Sequence, residues 1–340
     1  MKFFIFPLTV LLSLLLAVNI NAQDQKLMVF YNLENLFDIY DDPAINDADF
    51  LPGSRIDWTE QRYQRKLDNL TQVLTSIDET YLPAIIGVCE VENERVLKDL
   101  KKQKKLRRAN YRIVHHDSPD ERGIDVALLY ASFEFKVLED KALPVRFPHD
   151  PDDRTRDILY VKGVFKEAKK DTVFIFVNHW PSRWGGQEKS EPDRITAARV
   201  LRGFVDSIYN HHKNPNMILM GDFNDDPDNK SLAEVLNAVE PAEELENEQL
   251  YNLMFPMLNR GEGTLFYRDW DVFDQIIVSG ELLKKKDGFR LADTQGKAFK
   301  ADWMLFEDDQ GRKRPNRTAG RSYYGGYSDH LPVYVYYRTR

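Results

Sequence analysis

The sequence contains one cysteine and no internal repeat. Cys89 is the only cysteine among 340 residues, so an intramolecular disulfide is excluded. No fixed-period repeat, low-complexity tract or Gly/Ser-rich linker interrupts the chain, which excludes solenoids and flexible multidomain arrays. These absences predict a single large domain over residues 23–340 that buries enough core to be stable without cross-links.

The chain also lacks an excess of basic residues. It has 47 Lys and Arg against 55 Asp and Glu, a formal net charge of −8. A protein that coats a polyanion is usually basic, so a nonspecific nucleic-acid-coating protein is disfavoured. An acidic enzyme can still act on phosphate esters when a bound divalent cation supplies the local positive charge.

One long apolar run is present, at the N-terminus. Lys2 precedes an almost uninterrupted apolar stretch from Phe3 to Val18, and small or polar residues follow up to Ala22. This pattern predicts a secretory signal peptide, residues 1–22, cut after Ala22. The alternative is an uncleaved anchor, but the run is shorter than the ~20 residues of a membrane span. We expect export to the periplasm or the medium and no membrane span in the mature chain.

Predicted strands and helices alternate through most of the remaining chain. Apolar residues at helical spacing predict helices over 60–77, 94–106 and 193–209. Strands are expected at 27–31, 84–89, 111–115, 124–130, 158–165, 172–177, 217–220, 273–278 and 331–337. This alternation predicts an α/β layered fold.

The most informative stretch runs from Met217 to Pro227. Four apolar residues end at Gly221, and Asp222 and Asn224 then point from the same face with the period of a strand. We expect Gly221 to allow a close backbone approach. Taken alone, the pattern also fits a strand that runs into an Asx turn, so the rest of the chain must decide.

Six separated strand ends carry side chains of the kind found in active sites. Ligands of α/β sheets lie at strand ends and adjoining loops, so these groups are predicted to share one cleft. Carboxylate and amide oxygens suit Mg²⁺, Mn²⁺ or Ca²⁺ better than zinc, and two histidines suit general acid and base roles. The groups are Asn32, Glu90, His179, Asp222 with Asn224, Asp274, and Asp329 with His330.

The motifs around these residues resemble, in order, those of the endonuclease/exonuclease/phosphatase superfamily, which includes deoxyribonuclease I. The resemblance covers about residues 27 to 337. It rests on Phe30-Tyr31-Asn32, Gly87-Val88-Cys89-Glu90-Val91-Glu92-Asn93, His179 after an apolar strand, Gly221-Asp222-Phe223-Asn224, Phe273-Asp274-Gln275-Ile276 and Ser328-Asp329-His330-Leu331-Pro332-Val333. It implies a four-layer α/β sandwich, with two mixed sheets face to face and helices outside, and divalent-metal-dependent hydrolysis of phosphate esters.

The resemblance also implies roles for the matching residues. Asn32 and Glu90 match the metal-site motifs, and His330 matches the base that activates water. Asp274 and Asp329 match acids that orient the histidines, and Asp329 also matches a possible metal ligand. The remaining matches are Asp222 and Asn224, which contact the reacting phosphate and its nucleophile, and His179, the histidine of some branches that assists the leaving oxygen.

Three further positions leave alternatives open. Arg156 and Arg183 are candidate phosphate-binding residues, and a surface ion pair and an ordered structural loop, respectively, are the alternatives. Asp125 lies near further site residues of the family but also fits the edge of the core. For the remaining histidines, exposed side chains are expected; these are His115, His116, His149, His211 and His212.

The sequence therefore predicts an exported Mg²⁺-dependent phosphodiesterase, with Mn²⁺ or Ca²⁺ as possible replacements. The leading substrate is DNA or RNA, and no obligate protein partner is expected. A phosphatase or a sphingomyelinase-like phospholipase of the same fold is the alternative, because all of these enzymes share the active-site set. The basic segment from Arg312 to Arg317, with Arg321, fits either a polyanion-binding surface or a solvated loop. A noncatalytic binding module is the remaining class.

Overall fold

The computed structural model describes residues 25–340. The predicted signal peptide, residues 1–22, lies outside this range. Within residues 25–340, no helix combines the length and apolar character needed to cross a membrane.

The first large sheet is mixed and has the strand order β14-β18-β1-β2-β4-β3, with β15 also paired to β18. Strands β1 and β2 are parallel, whereas β18 and β4 run antiparallel to them. The bounds are β1 Lys26–Leu36, β2 Ile85–Val91, β3 Tyr111–His115, β4 Asp125–Ala131, β14 Arg290–Leu291, β15 Lys297–Ala298 and β18 Val333–Arg338.

The second large sheet is also mixed, with the order β5-β6-β7-β8-β13-β10-β9. Strands β7 and β8 are parallel, and β13 runs antiparallel to β8. The bounds are β5 Phe135–Leu143, β6 Ile158–Phe165, β7 Thr172–His179, β8 Asn216–Asp222, β9 Ala238–Val239, β10 Leu250–Asn252 and β13 Asp274–Ser279.

Three long helices cover the outer faces of the two sheets. Helices α1 (Glu60–Ser76) and α2 (Glu94–Lys102) pack on the first sheet, and α3 (Gln187–His211) packs on the second. Between the sheets, apolar side chains of both inner faces form a third cluster, which includes Met28, Phe30, Ile175 and Met220. The expected four-layer sandwich is confirmed.

Shorter elements complete the described chain. The short helices are α4 (Phe255–Asn259) and α5 (Gly280–Lys284), with 3₁₀ turns at Ala48–Phe50, Arg107–Ala109 and Asp302–Met304 and a π-helix at Ser231–Leu236. Two hairpins pair β11 (Leu265–Phe266) with β12 (Trp270–Asp271) and β16 (Leu305–Glu307) with β17 (Lys313–Pro315). The sequence patterns did not predict these hairpins or β5, and α3 begins six residues before its predicted start at 193.

Strand direction brings the candidate residues to one edge of the sandwich. Strands β1, β2, β7 and β8 end at this edge, and the antiparallel strands β13 and β18 begin there. At β8, the neighbouring strand is so close to Gly221 that a Cβ would lie 2.5 Å from the carbonyl oxygen of Asn178. The close approach predicted for Gly221 is therefore present, and it places the next residue, Asp222, tightly between its neighbours.

Candidate active site

Asp222 lies at the centre of the converging side chains. It is the last residue of β8 and stands in register with His179 of β7 on one side and Asp274 of β13 on the other. Its Oδ2 is 3.0 Å from the Asn32 amide nitrogen, 3.8 Å from His179 Nε2 and 3.7 Å from His330 Nε2. Burial raises the pKa of Asp222, while the nearby His330 lowers it.

His330 is paired with a fully buried carboxylate. Its Nδ1 lies 2.7 Å from Asp274 Oδ2, so Nε2 is the nitrogen that faces Asp222. Burial opposes protonation of the ring, but the carboxylates of Asp274 and Asp222 outweigh it and raise the pKa of His330 well above its usual value. The Asp274 amide is bonded to Thr264 Oγ1 at 3.0 Å, which fixes the start of β13. The pair has the form of an oriented general base.

His179 has the opposite environment. The side chain is buried, and its Nδ1 has no hydrogen-bond partner within residues 25–340. Burial, and then the positive charges of Arg156 and Arg122, lower the pKa of His179 well below its usual value. At neutral pH this ring is therefore neutral, so it can donate a hydrogen bond but is a poor source of a free proton.

Backbone irregularities aim Asn32 and Glu90 into the site. The β1–β2 pairing is interrupted between Asn32 and Leu36, and the β2–β4 pairing is interrupted at Glu90. Glu34, Asn35 and Glu90 all have left-handed backbone conformations, with φ of 50°, 54° and 58°. Such conformations are uncommon for residues with side chains, and bulges near active sites redirect side chains. Here the Asn35 amide donates to Glu90 Oε2 at 2.9 Å and holds that carboxylate in place.

Asn224 closes the turn after β8. Its backbone amide donates to Asp222 Oδ1 at 2.9 Å, and its side-chain amide donates to the carbonyl of Trp180 at 3.0 Å. The residue has φ of 51°, a left-handed conformation that asparagine tolerates better than most residues. Both interpretations of the stretch from Met217 to Pro227 therefore apply. The strand delivers Asp222 to the site, and an Asx turn holds it there.

These six strand ends form one site on a four-layer sandwich. A family model described as Endonuclease/Exonuclease/phosphatase family matches residues 27–339. The chain belongs to this family. Membership makes it a phosphoric ester hydrolase of a family whose enzymes depend on divalent metals. No curated protein matches the sequence.

Solved structures of the family resemble the chain in fold. A family protein from Bacteroides thetaiotaomicron has a TM-score of 0.56 and 16% identity, with 93% of this chain and 98% of that chain covered. A mannosyl-6-phosphatase from the same organism has a TM-score of 0.55 and 18% identity, over 91% and 98%. The human nocturnin catalytic domain with bound sulfate has a TM-score of 0.54 and 16% identity, over 93% and 95%. These likenesses concern the fold.

The donor set of this family member fits a hard divalent cation. Glu90 and Asp329 are partly exposed carboxylates, and buried Asp274 Oδ1 has no hydrogen-bond partner within the described chain. Two groups at the site have ligand atoms close enough to share a metal ion: Asp222, Asp274 and His330, and Cys89, His179 and Asp222. Oxygen donors favour Mg²⁺, Mn²⁺ or Ca²⁺. Because burial raises the pKa of Cys89, its thiol is neutral and a poor ligand.

Asn32, a predicted metal ligand, has its side-chain oxygen engaged by a backbone amide. This oxygen accepts the Glu34 amide at 2.9 Å, and the side-chain nitrogen faces the site and donates to Asp222. A cation would need the same oxygen, so metal binding by Asn32 stays a prediction. Glu90 and Asp329 are the partly exposed carboxylates that would hold the metal.

The predicted phosphate-binding arginines are both engaged elsewhere. Arg156 is buried and donates to the carbonyls of His179 and Trp180 and to Asp120. Arg183 donates to the Asn224 carbonyl at 2.9 Å, to Asp226 and Asn229 of the loop after β8, and to Asp271 of β12. Both guanidinium groups therefore hold chain segments that carry site residues. For Arg183 this favours the ordered structural loop, whereas the ion pair of Arg156 with Asp120 is buried and not at the surface as its alternative stated.

A buried charged group beside the site was missed in the sequence. Glu34 is nearly inaccessible and accepts the Thr318 amide at 2.6 Å and Arg317 Nε at 2.8 Å. Lys66 of α1 is also buried and donates to Thr318 Oγ1 and to the Tyr327 carbonyl. Lys66 precedes Leu70 and Val73 by four and seven residues, so the helical spacing already placed it on the buried face.

His115 contradicts the expectation of an exposed side chain. It is the last residue of β3, its side chain is 6% exposed, and its Nε2 lies 2.8 Å from Asp125 Oδ2. Asp125 also accepts the Ser118 amide at 2.7 Å, and burial raises its pKa. The alternation of β3 placed His115 on the face of Tyr111 and Ile113, which was the signal for burial. Asp125 therefore belongs to the edge of the first sheet, which agrees with the alternative that it is a structural residue at the edge of the core.

Proposed function

We propose that this protein is an exported Mg²⁺-dependent phosphodiesterase that hydrolyses DNA or RNA. The supporting observation is the pair of histidines that flank Asp222 Oδ2, at 3.7 and 3.8 Å. Only one of them is paired with a buried carboxylate. Because their environments differ, one histidine can act as a base and the other as a hydrogen-bond donor. Hydrolysis of a phosphate ester requires both.

The residues of the site support attack by water on phosphorus. His330 Nε2 accepts the proton of the attacking water, and Asp274 stabilises the imidazolium that results. The neutral ring of His179, whose Nε2 also lies near Asp222 Oδ2, donates a hydrogen bond to the leaving oxygen as that oxygen develops charge. Glu90 and Asp329 would hold a divalent cation, which would neutralise negative charge on the phosphoryl oxygens. Asn32 and Asn224 hold Asp222 in the orientation that this arrangement needs.

Aromatic and cationic side chains beside His330 favour a nucleic-acid substrate. Leu265 of β11 pairs with His330, so the β11–β12 hairpin adjoins the base. Lys300, which follows β15, lies 4.2 Å from the ring centre of Trp270 on this hairpin. On the β16–β17 hairpin, Arg314 lies 5.2 Å from the ring centre of Phe306. Unpaired bases stack on such aromatic surfaces. Because Asp308 pairs with Arg312 and Arg314, the surface offers stacking more than net positive charge.

A phosphatase or a sphingomyelinase-like phospholipase remains the alternative. The solved structures of similar fold include a mannosyl-6-phosphatase, and the catalytic groups described above serve monoesters and diesters alike. A noncatalytic binding protein is disfavoured because Glu90, His179, Asp222, Asp274 and His330 are all retained at one edge of the sheets.

A substrate panel tests the proposal. Purified residues 23–340 are assayed with Mg²⁺, Mn²⁺ and Ca²⁺ on single-stranded DNA, RNA, bis-p-nitrophenyl phosphate, a sugar phosphate and sphingomyelin. We expect cleavage of nucleic acid with Mg²⁺ and complete loss of activity in chelator. Cleavage of sphingomyelin or of the sugar phosphate alone would overturn the nuclease assignment, and no hydrolysis of any substrate would overturn the enzyme assignment.

Export is a separate part of the proposal. It is supported by Lys2, the apolar run from Phe3 to Val18 and the small residue Ala22. N-terminal sequencing of the protein recovered from the periplasm or the medium is expected to begin at Gln23. Recovery of an intact N-terminus in the cytoplasm would contradict export.

A further inference from the structure

Four of the cationic side chains in or beside the site differ in how many of their donors are used. Arg156 and Arg183 direct their guanidinium groups at carbonyl, carboxylate and amide oxygens of the loops. Lys66 is buried and bonded to Thr318 and to the Tyr327 carbonyl. Arg317 is the exception. Within residues 25–340 its guanidinium has two partners, Glu34 Oε1 at 2.8 Å from Nε and Asp329 Oδ2 at 3.0 Å from Nη2.

The remaining donors of Arg317 are accessible. A guanidinium carries five N–H groups in a fixed plane, and the two contacts occupy only part of them. The side chain is 41% exposed although its two partners belong to the site, Asp329 next to His330 and Glu34 two residues after Asn32. Arg317 thus reaches from solvent to the edge of the catalytic group while keeping free donors.

The buried carboxylate of Glu34 fixes the orientation of the Arg317 guanidinium. Glu34 is buried, has the left-handed φ of 50°, and receives the backbone amide of Thr318 at 2.6 Å in addition to Arg317. Lys66 holds the side chain of the same Thr318. Glu34 lies on β1, the strand that carries Asn32, and its partners are residues 317 and 318. Glu34 therefore links β1 to the segment that precedes His330.

The charge of the site creates a need for such a group. Five carboxylates lie in or beside it, those of Glu34, Glu90, Asp222, Asp274 and Asp329. A phosphate anion entering this cluster meets repulsion that a single divalent cation offsets only in part. Planar N–H donors that match two phosphate oxygens at once provide both attraction and alignment.

We propose that Arg317 is a substrate-binding residue that donates to the non-bridging oxygens of the reacting phosphate, and that Glu34 is the positioning residue that orients it. The inference rests on the proposed hydrolysis of phosphate esters and assigns the phosphate contact to Arg317 instead of Arg156 and Arg183. Substitution of Arg317 is therefore expected to weaken phosphate binding more than it slows turnover.

The first experiment measures phosphate binding without catalysis. Inorganic phosphate is titrated calorimetrically into the metal-free protein for the wild type, Arg317→Gln, Arg317→Lys and Arg107→Gln. Arg107 is the control, since it is an exposed arginine before the start of β3, at the end of the first sheet away from the site. We expect about tenfold weaker binding for Arg317→Gln, corresponding to about 1.4 kcal/mol. Arg317→Lys should lose several-fold, because the charge remains and the fork is lost, and Arg107→Gln should match the wild type.

The second experiment separates binding from turnover. With Mg²⁺ and bis-p-nitrophenyl phosphate, Arg317→Gln is expected to raise KM about tenfold and to change kcat by less than about threefold. Glu34→Gln should raise KM in the same direction by a smaller factor. Thermal unfolding by circular dichroism checks that each variant is folded, and Arg317→Lys carries the test if Arg317→Gln does not fold.

The outcomes distinguish this inference from the proposed function. Phosphate binding and KM that are unchanged in a folded Arg317→Lys or Arg317→Gln protein overturn the role of Arg317, even if the wild type is an active hydrolase. Absence of phosphate binding by the wild type overturns it as well. Absence of hydrolysis by the wild type overturns the proposed function, and the phosphate titration then still decides whether Arg317 binds the anion.

Discussion

His330 and His179 lie at similar distances from Asp222 and have opposite electrostatic environments. Both rings are buried, and each places Nε2 less than 4 Å from Asp222 Oδ2. Asp274 pairs with Nδ1 of His330, whereas Nδ1 of His179 has no partner within residues 25–340. The pKa of His330 is raised, because two carboxylates outweigh its burial, and that of His179 is lowered by burial and by Arg156.

The difference shows how one edge of the sandwich can hold two histidines with different chemical functions. The sequence motifs identify both histidines, but the neighbours that set their protonation come from distant segments. Asp274 is 56 residues from His330, and Arg156 is 23 residues from the His179 carbonyl that it binds. Pairs of titratable groups whose pKa values are pushed apart mark acid and base assignments. These environments support the proposed proton acceptance by His330 and the proposed hydrogen-bond donation by His179.

Of the two histidines, His330 is expected to have the larger effect on turnover when it is replaced. In His330→Gln the side chain still fills the space beside Asp274 but cannot accept the proton of water. We expect kcat with Mg²⁺ and bis-p-nitrophenyl phosphate to fall by ~10² to 10⁴, the usual contribution of a positioned acid or base. Near-wild-type turnover in the folded variant would show that another group activates water.

Replacement of Asp274 separates the base from its orienting partner. Asp274→Asn removes the charge that raises the pKa of His330, so this pKa should fall towards its usual value. His330 is active when deprotonated, and the acidic limb of the kcat/KM profile should therefore move to lower pH. The maximal rate should fall about tenfold to a hundredfold, because the imidazolium loses its counter-charge. An acidic limb that stays in place would mean that it reports a group other than His330.

Replacement of His179 tests the other half of the comparison. A neutral hydrogen-bond donor matters most when the leaving oxygen is strongly basic. His179→Gln should therefore slow cleavage of a nucleic-acid diester by about tenfold to a hundredfold and slow release of p-nitrophenolate much less. The measurement is kcat/KM for both substrates on the same preparation, with wild-type protein as reference. Equal losses on both substrates would indicate a positioning role for His179.

The large elements were predictable because their signals are local. The apolar run from Met217 to Met220 predicted β8, and the helical spacing of Leu67, Leu70 and Val73 predicted α1. Local patterns failed for β5, whose exposed positions include Lys136, Glu139 and Asp140, and for the two- and three-residue strands of the hairpins. These elements exist because neighbouring strands pair with them, and such pairing leaves little trace within a short stretch of sequence.

The candidate site was predictable to the level of its motifs but not of its supporting contacts. Family motifs identified His330 and Asp222, and strand direction brings them together. The role of Glu34 was not predicted, because it depends on contacts with residues 317 and 318, far away in the chain. Arg156 had the right residue type for a phosphate contact, yet its burial against Asp120 and two carbonyls is a property of the folded loops.

The smallest effect on activity is expected at His115, a third histidine paired with a buried aspartate. Its 2.8 Å contact with Asp125 resembles the His330–Asp274 pair, but it lies at the β3 edge of the first sheet. His115→Ala should leave kcat within about twofold and lower the free energy of unfolding by about 1–3 kcal/mol, since it leaves a buried acceptor unpaired. Turnover assays and urea unfolding measure the two effects.

The loss of stability at His115 should depend on pH with a defined sign. Burial raises the pKa of Asp125, and His115 lowers it, so removal of His115 raises the pKa of the folded-state carboxyl further. Below the unfolded-state pKa, the Asp125 carboxyl is protonated in both the folded and the unfolded state, and the variant loses the least stability relative to wild type. As pH rises through the interval between the unfolded-state and folded-state pKa values, the unfolded carboxyl is ionised, so folding must take up a proton or bury the charge, and the loss of stability relative to wild type grows. Urea unfolding at pH 4 and pH 7.5 should therefore show the larger difference at pH 7.5. A loss of turnover comparable to that of His330→Gln would mean that this buried histidine pair also serves the reaction.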